Sequence, residues 1–312
     1  AGKEGDMRLI VHGQQAFGQS VLESLLARQE DVVAVYCSPD RGERQDPLKT
    51  FAVEKGLPVY QPVSYKDSAV WAEMDALKAD LCVMAYVTLF IPEAALNTPR
   101  LGSIQYHPSL LPLHKGPSSI NWPIIFGEKK TGLSIFWPDN GLDTGPILLQ
   151  REVDIGPDDT LGSLYFNHLF PMGVEALVEG VDRVRDGTAE KIPQDPDEGT
   201  YEGWCRKEDV EVDWTQPVDT VYNLIRGANP QPGAWTTYND RELGILDCRK
   251  ADAKGAPGEV VAVQGDSLVV ATASGGLQID RLRAPDLGKI GAGEFAARTE
   301  LAPGSVFGRQ VK

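Results

Sequence analysis

Three absences narrow the sequence before any motif is read. The 312 residues contain no run of about 18 apolar residues, the length a membrane-spanning helix needs. The longest apolar candidate, Ala79 to Val87, is strand-sized and carries Asp80 near its start. Cysteines are few and scattered: Cys37, Cys82, Cys205 and Cys248 form no CxxC pair, so they are expected to be reduced, partly buried thiols of a cytoplasmic protein. Basic charge is also short. Net charge is −15, from 30 basic and 45 acidic residues, and the acidity is concentrated before residue 203. Neither half has the excess of lysine and arginine that binding to a phosphate backbone usually shows.

What remains is an ordinary globular composition, with 42% hydrophobic and 24% charged residues, in a chain long enough for one large domain or two modest ones. It has no internal repeat and no low-complexity tract. Ala1 to Asp6 precedes Met7 without an apolar core and reads as an expression remnant, with the natural chain expected from Met7.

From Met7 to about Tyr86, short apolar runs alternate with helix-length amphipathic stretches. Met7–Gly13, Asp31–Cys37, Leu57–Tyr60 and Leu81–Ala85 read as strands. The repeat of Val21, Leu22, Leu25 and Leu26, then Pro47–Lys55 and Asp67–Lys78, read as helices. This alternation predicts a parallel sheet covered on both faces. A proline-punctuated stretch follows, with strands expected at Gly102–Tyr106, Thr131–Phe136 and Pro146–Val153. From Thr160 the stripe Leu161, Leu164, Leu169, Met172, Leu177, Val181 and Val184 predicts a helix that Pro171 should kink or split. Residues 191–202 carry two prolines and little apolar pattern, and read as a linker between a domain over 7–190 and another over 203–312. Beyond it, a short helix near Val218–Ile225 precedes five strand-like runs separated by glycine turns, the spacing of a small barrel.

Several chemistries lack their residues. Gly13–Gly18 (GQQAFG) occupies the first strand-to-helix turn but is neither GxGxxG nor a P-loop, so no nucleotide cofactor is expected. The glycines serve a tight turn in one reading and an anion contact in the other. His107 and His114 are seven apart across Pro108 and Pro112, and the aspartates lack calcium-loop spacing, so no metal is expected. No GxSxG elbow occurs, and no cysteine has a neighbouring histidine.

The informative stretch is Gly102–Gly116, GSIQYHPSLLPLHKG. Its strand presents Gln105 and His107 on one side at the C-terminal end, where parallel sheets bind ligands. Some 36 residues later, Asp139–Pro146 (DNGLDTGP) is a loop with Asp143 between Leu142 and Thr144. Such an acid could orient and charge a histidine, or activate a water.

HPSLLP followed by a basic residue and glycine, then DxGLDTG, then Asp158-Asp159-Thr160, resembles the folate-dependent formyltransferase superfamily. Within it the chain is most similar to the hydrolase domain of 10-formyltetrahydrofolate dehydrogenase. Ser118–Trp122, Ile135–Trp137, Thr200–Gly203 and Pro232–Thr236 extend the resemblance almost to the C-terminus. It implies a Rossmann-like folate-binding domain, a small OB-like β-barrel domain, and an Asn-His-Asp site in the transferases. His107 and Asp143 match, whereas Gln105 stands where the transferases have asparagine. The resemblance further implies 10-formyltetrahydrofolate as formyl donor, with catalytic residues His107, Asp143 and Gln105. A pterin pocket is expected between 84–91 and 138–143, with Met84, Tyr86, Phe90, Ile91, Pro138, Asp139, Gly141 and Leu142 as candidate contacts. Core packing is the competing reading for Phe90 and Ile91.

Hydrolysis to tetrahydrofolate and formate is the first expectation. The alternative acceptor is an amine: an amino sugar, another small amine or methionyl-tRNA. The acidic balance, the thin basic run Leu113-His114-Lys115 and Gln105 all weigh against tRNA. A catalytically idle folate-binding module is a third reading, and retention of both His107 and Asp143 weighs against it. The partner expected is a small folate, with no membrane; oligomeric state is left open.

Overall fold

The computed structural model describes residues 6–309. All but Asp6 of the expected remnant therefore lies outside the described residues. By contact the chain divides into two units. One comprises the chain through Ser119 with Thr131–Val153 and Phe166–Glu202; the other comprises Ile120–Lys130, Asp154–Tyr165 and the chain from Gly203. Two excursions within the N-terminal half thus belong to the second unit, and residues 191–202 belong to the first.

The first unit begins with strand-helix alternation. In order come β1 (Arg8–Gly13), α1 (Gln15–Ala27), β2 (Asp31–Tyr36), α2 (Pro47–Glu54), β3 (Val59–Tyr60), α3 (Ser68–Ala76), β4 (Leu81–Ala85), α4 (Glu93–Leu96) and β5 (Ser103–His107). Asp46 and Asp67 cap α2 and α3 by accepting the backbone N–H groups of Leu48 and Ala69. Strands β6 (Lys130–Phe136) and β7 (Ile147–Asp154) complete a seven-stranded sheet of order β3-β2-β1-β4-β5-β6-β7.

The pairs β1–β2, β1–β4, β2–β3 and β4–β5 are parallel. The β5–β6 pair is antiparallel, with Gln105 opposite Phe136 and His107 opposite Ser134. The parallel run β3-β2-β1-β4-β5 matches the expected parallel sheet, and the antiparallel β6 makes the whole sheet mixed. Strand direction depends on how the connection returns, and apolar patterning carries no record of it.

Period-two alternation sorts the sheet's faces. Ile10, Ala34, Tyr36, Cys82 and Met84 form one buried cluster with Met74 of α3 and Ala95 and Leu96 of α4. Tyr106, between Gln105 and His107, points to the opposite face, where its ring stacks on Phe17 of α1 and its hydroxyl donates to the carbonyl of Leu169. Gly13 is required by close approach. A Cβ there would lie 2.2 Å from the carbonyl oxygen of Ala85, so the turn's first glycine is explained by packing against β4.

The expected helix from Thr160 is split. It becomes α6 (Leu161–Leu164), capped by Thr160, a π-helical turn over Tyr165–Leu169, and α7 (Phe170–Asp186) with Pro171 in its first turn. Proline is tolerated there because the first turn's N–H groups have no intrahelical acceptors.

The second unit contains α5 (Asn121–Ile125), α6, a 3₁₀ turn at Lys207–Val210 and α8 (Val218–Gly227). Strands β8 (Trp235–Tyr238), β9 (Arg241–Ile245), β10 (Cys248–Ala251), β11 (Val260–Gln264), β12 (Ser267–Ala271), β13 (Gly276–Ile279), β14 (Arg281–Ala284) and β15 (Gly288–Gly291) follow, then α9 (Ala292–Thr299). The strands pair antiparallel in two four-stranded sheets, β10-β13-β12-β11 and β15-β14-β9-β8. The antiparallel, strand-rich unit expected here is present; the OB-like barrel itself is not confirmed, since among the described residues no ladder joins the two sheets. Their core includes Trp214, Leu243, Ile245, Leu268, Leu277, Leu282, Phe295 and Phe307. Helix α8 ties the excursions to this unit. Arg226 donates to the carbonyls of Gly156 and Asp159, Tyr222 to the Asp158 carboxylate, and Asn121 to the carbonyl of Gly227.

Candidate functional site

Strand β5 ends on His107, 5% exposed, at the C-terminal edge of the parallel strands. The turn that follows is closed by its own hydrogen bonds. Ser109 donates its hydroxyl to the carbonyl of Leu113, and Ser134 of β6 donates to the carbonyl of Ser109 while accepting from the N–H of Leu111. Gln150 of β7 adds a bond to the carbonyl of Leu111. The turn carries His114 back over the strand end.

His107 Nε2 lies 2.9 Å from the carbonyl oxygen of His114. A carbonyl only accepts, so Nε2 carries the hydrogen and Nδ1 is the nitrogen left to gain or lose a proton. That Nδ1 faces Asp143 Oδ2 at 3.7 Å, longer than a hydrogen bond. The ring of Phe136 meets the imidazole edge-on at 6.4 Å.

Asp143 is held from several sides. Its Oδ2 accepts the N–H of Gly116 at 2.9 Å, and its own carbonyl accepts from the Gln194 amide at 2.9 Å. Its φ of 59° places a non-glycine residue in the left-handed region, a strained setting typical of functional loops. Earlier in the loop, Asp139 accepts from the N–H of Gly141 and the hydroxyl of Thr144. Asn140 and Glu93 exchange side-chain-to-backbone bonds that tie the loop to α4. Gly145 is fixed by crowding, because a Cβ there would fall 1.7 Å from the carbonyl oxygen of Trp137.

Asp143 lines a cavity of about 190 Å³, and His107 is not among its lining residues. The lining also includes 87–91, Leu96, Gln105, Phe136, Pro138, Asp139, Gly141 and Leu142. Phe90, Ile91, Pro138, Asp139, Gly141 and Leu142 of the candidate contacts thus lie together, with Gln105 and Asp143. Ile91 serves the core as well, being 7% exposed within the cluster that includes Met84. Phe90 is half-exposed, and the Lys66 ammonium lies 5.8 Å from its ring centre. Met84 and Tyr86 are not among the lining residues. Met84 is wholly buried in the sheet core, and Tyr86, with φ of 69°, turns out of the strand and is partly exposed.

Four supports were not singled out from the sequence: His114, Gln194, Thr200 and Glu202. Thr200 Oγ1 accepts the N–H of His114, and Glu202 Oε1 pairs with His114 Nδ1. For His114, Thr200 and Glu202 the sequence signal is that His114-Lys115-Gly116 and Thr200–Gly203 lie in stretches that carry the family resemblance; Gln194 has none.

The cysteines offer no nucleophile. Burial pushes the thiols of Cys82, Cys205 and Cys248 up to about 12 and that of Cys37 to about 11, so all four are protonated at neutral pH. Among the described residues no group of three or more His, Cys, Asp or Glu side chains could hold a metal ion, and no helix is long and apolar enough to cross a membrane.

Comparison with known proteins agrees with this architecture. The chain is 41% identical over 264 residues to the mitochondrial 10-formyltetrahydrofolate dehydrogenase of Homo sapiens, covering 83% of this chain and 29% of that protein. It therefore spans less than a third of that relative's length. It is 37% identical over 308 residues to the methionyl-tRNA formyltransferase of Geobacter metallireducens, covering 97% of this chain and 99% of that protein. HypX from Aquifex aeolicus, solved in complex with tetrahydrofolic acid, shares the fold with a TM-score of 0.69 and 21% identity, over 94% of this chain and 47% of HypX. The family models for formyl transferase and for the formyl transferase C-terminal domain match residues 7–181 and 205–300. This chain belongs to the formyl transferase family and is one of its enzymes.

Proposed function

We propose that the chain transfers the formyl group of 10-formyltetrahydrofolate to water, releasing tetrahydrofolate and formate. The observation that carries the reading is the commitment of His107 Nε2–H to a backbone carbonyl, which leaves Nδ1 opposite the Asp143 carboxylate beside the cavity. A group so arranged exchanges protons at one atom only.

The pterin occupies the cavity between 87–91 and 138–143, with the formyl carbon at the Asp143 end. Asp143 orients the incoming water and relays its proton to His107 Nδ1 as the oxygen bonds to the formyl carbon. The tetrahedral intermediate carries an oxyanion, stabilised by the His107 imidazolium and by an N–H of the Gln105 amide. Collapse breaks the bond to N10, which takes the proton from His107 Nδ1. That transfer restores neutral His107 beside the Asp143 carboxylate, and the formic acid product leaves as formate with its proton lost to solvent. The cavity sets the polar side chains of Thr88, Gln105, Asp139 and Asp143 among apolar ones, a lining suited to a heterocycle read by donors and acceptors.

Similarity to a whole methionyl-tRNA formyltransferase favours an amine acceptor as the second reading. The net charge of −15 and the glutamine at position 105 weigh against tRNA. Pure protein mixed with 10-formyltetrahydrofolate alone distinguishes the two, with formate and free tetrahydrofolate as readouts. Rapid release of both without an acceptor supports hydrolysis. Bound folate that keeps its formyl group overturns it and passes the question to amines and charged tRNA. Turnover with any acceptor, water included, disposes of the idle-module reading.

A further inference from the structure

We propose that residues 191–202, linker-like in composition, form a strap whose Gln194 and Glu202 are positioning residues for the reacting pair. The proposal rests on the reading of His107 and Asp143 as that pair.

The strap is bonded to both loops of the site. At one end Ile192 bridges to Ile147 of β7, and Gln194 donates its amide to the carbonyls of Asp143 and Gly145, at 2.9 and 2.7 Å. At the other end it pairs with the turn after β5. Thr200 N–H donates to the carbonyl of Pro112, Lys115 N–H to that of Thr200, and Glu202 N–H to that of Lys115. The side chains of Thr200 and Glu202 engage His114 through its backbone N–H and its ring.

The two residues so gripped are both strained. His114 and Asp143 are non-glycine residues with φ of 53° and 59°. A left-handed conformation is unfavourable for an L-residue and persists where surrounding bonds over-determine it. At His114 that conformation presents the carbonyl that accepts His107 Nε2–H. Glu202 thereby acts on His107 through His114: it fixes the ring and backbone whose carbonyl sets the tautomer. Gln194 acts likewise on Asp143, by taking the carbonyls of the carboxylate's own residue and of Gly145.

The roles are simple acceptor and donor roles, and they dictate the variants. Glutamine at 202 keeps an oxygen for His114 Nδ1–H, and alanine does not. Glutamate at 194 cannot donate to two carbonyls. The test uses ¹⁵N-histidine NMR on the full chain, in which the four histidines are assigned by substitution. Wild type is expected to show His107 as a single Nε2–H tautomer, and Glu202→Ala to show a tautomer mixture. In turnover, Glu202→Ala and Gln194→Glu are expected to lose about tenfold to a hundredfold in kcat with KM within about threefold, the scale of a small misplacement of a reacting group. Glu202→Gln is expected to regain most of the loss.

A folded Glu202→Ala protein with an unchanged His107 tautomer and wild-type kcat overturns the proposal, as does Glu202→Gln matching the alanine variant. Should Glu202→Ala not fold, Gln194→Glu with wild-type kcat overturns it. The tautomer readout needs no substrate. Absence of formyl release by wild type would sink the functional reading and still leave the strap to be judged by NMR.

Discussion

His12 and His107 sit near the C-terminal ends of β1 and β5, two strands apart in one sheet, and both are buried. Around His12 the space is closed: Nδ1 bonds Tyr65 Oη at 3.0 Å, Nε2 meets Cys82 Sγ at 3.2 Å, and Tyr36 stacks on the ring at 4.8 Å. Both nitrogens are engaged, no carboxylate faces them, and burial lowers the pKa to about 3. His107 has one nitrogen committed to a carbonyl and the other facing Asp143 across a gap beside a cavity. Burial alone yields an inert core imidazole. One open nitrogen with an acid opposite is the arrangement that the proposed proton transfer requires.

The contrast is broken most severely by removing its reactive half. His107→Ala and Asp143→Asn are each expected to cost about 10²–10⁴-fold in kcat, with folate affinity within a few-fold, as read by steady-state kinetics and equilibrium binding. Next is the closed region. Gly13→Ala forces a Cβ to 2.2 Å from the Ala85 carbonyl oxygen and should cost about 2–3 kcal/mol in chemical denaturation.

The third prediction is a pH effect. The folded-state pKa of His12, about 3, lies below the unfolded value of 6.5, so the unfolded chain binds the extra proton between them. The stabilisation is present above pH 6.5 and is lost as pH falls, at about 1.4 kcal/mol per unit. The stability difference between wild type and His12→Gln should therefore shrink from pH 7 to pH 5. A constant difference would contradict the closed-pocket reading. The smallest effect is expected at Phe90, half-exposed on the cavity wall. Phe90→Ala should raise KM for the folate about three- to tenfold with kcat nearly unchanged, a loss of about 1 kcal/mol of apolar contact.

Much of this was legible in the residues. The apolar runs of β1, β2 and β4 and the helical repeats between them mark the alternating architecture, and HPSLLP with GLDTG marks the two segments that the fold brings together at His107 and Asp143. The antiparallel direction of β6 was not legible, because alternation reports burial and not strand sense. The role of 191–202 was hidden for a related reason. Gln194, Thr200 and Glu202 act through single hydrogen bonds to residues 49 to 88 positions away, and such bonds leave no local pattern. Met84 shows the limit of segment-level inference. It lies at the edge of the expected pocket segment, yet the strand's alternation turns its side chain into the core.

The most direct measurement compares wild type, His12→Gln and His107→Ala in 10-formyltetrahydrofolate without any acceptor, at a neutral pH where all three are folded. The account predicts formate and tetrahydrofolate release at comparable rates by wild type and His12→Gln, and loss of release in His107→Ala. Undiminished release by a folded His107→Ala protein would contradict it.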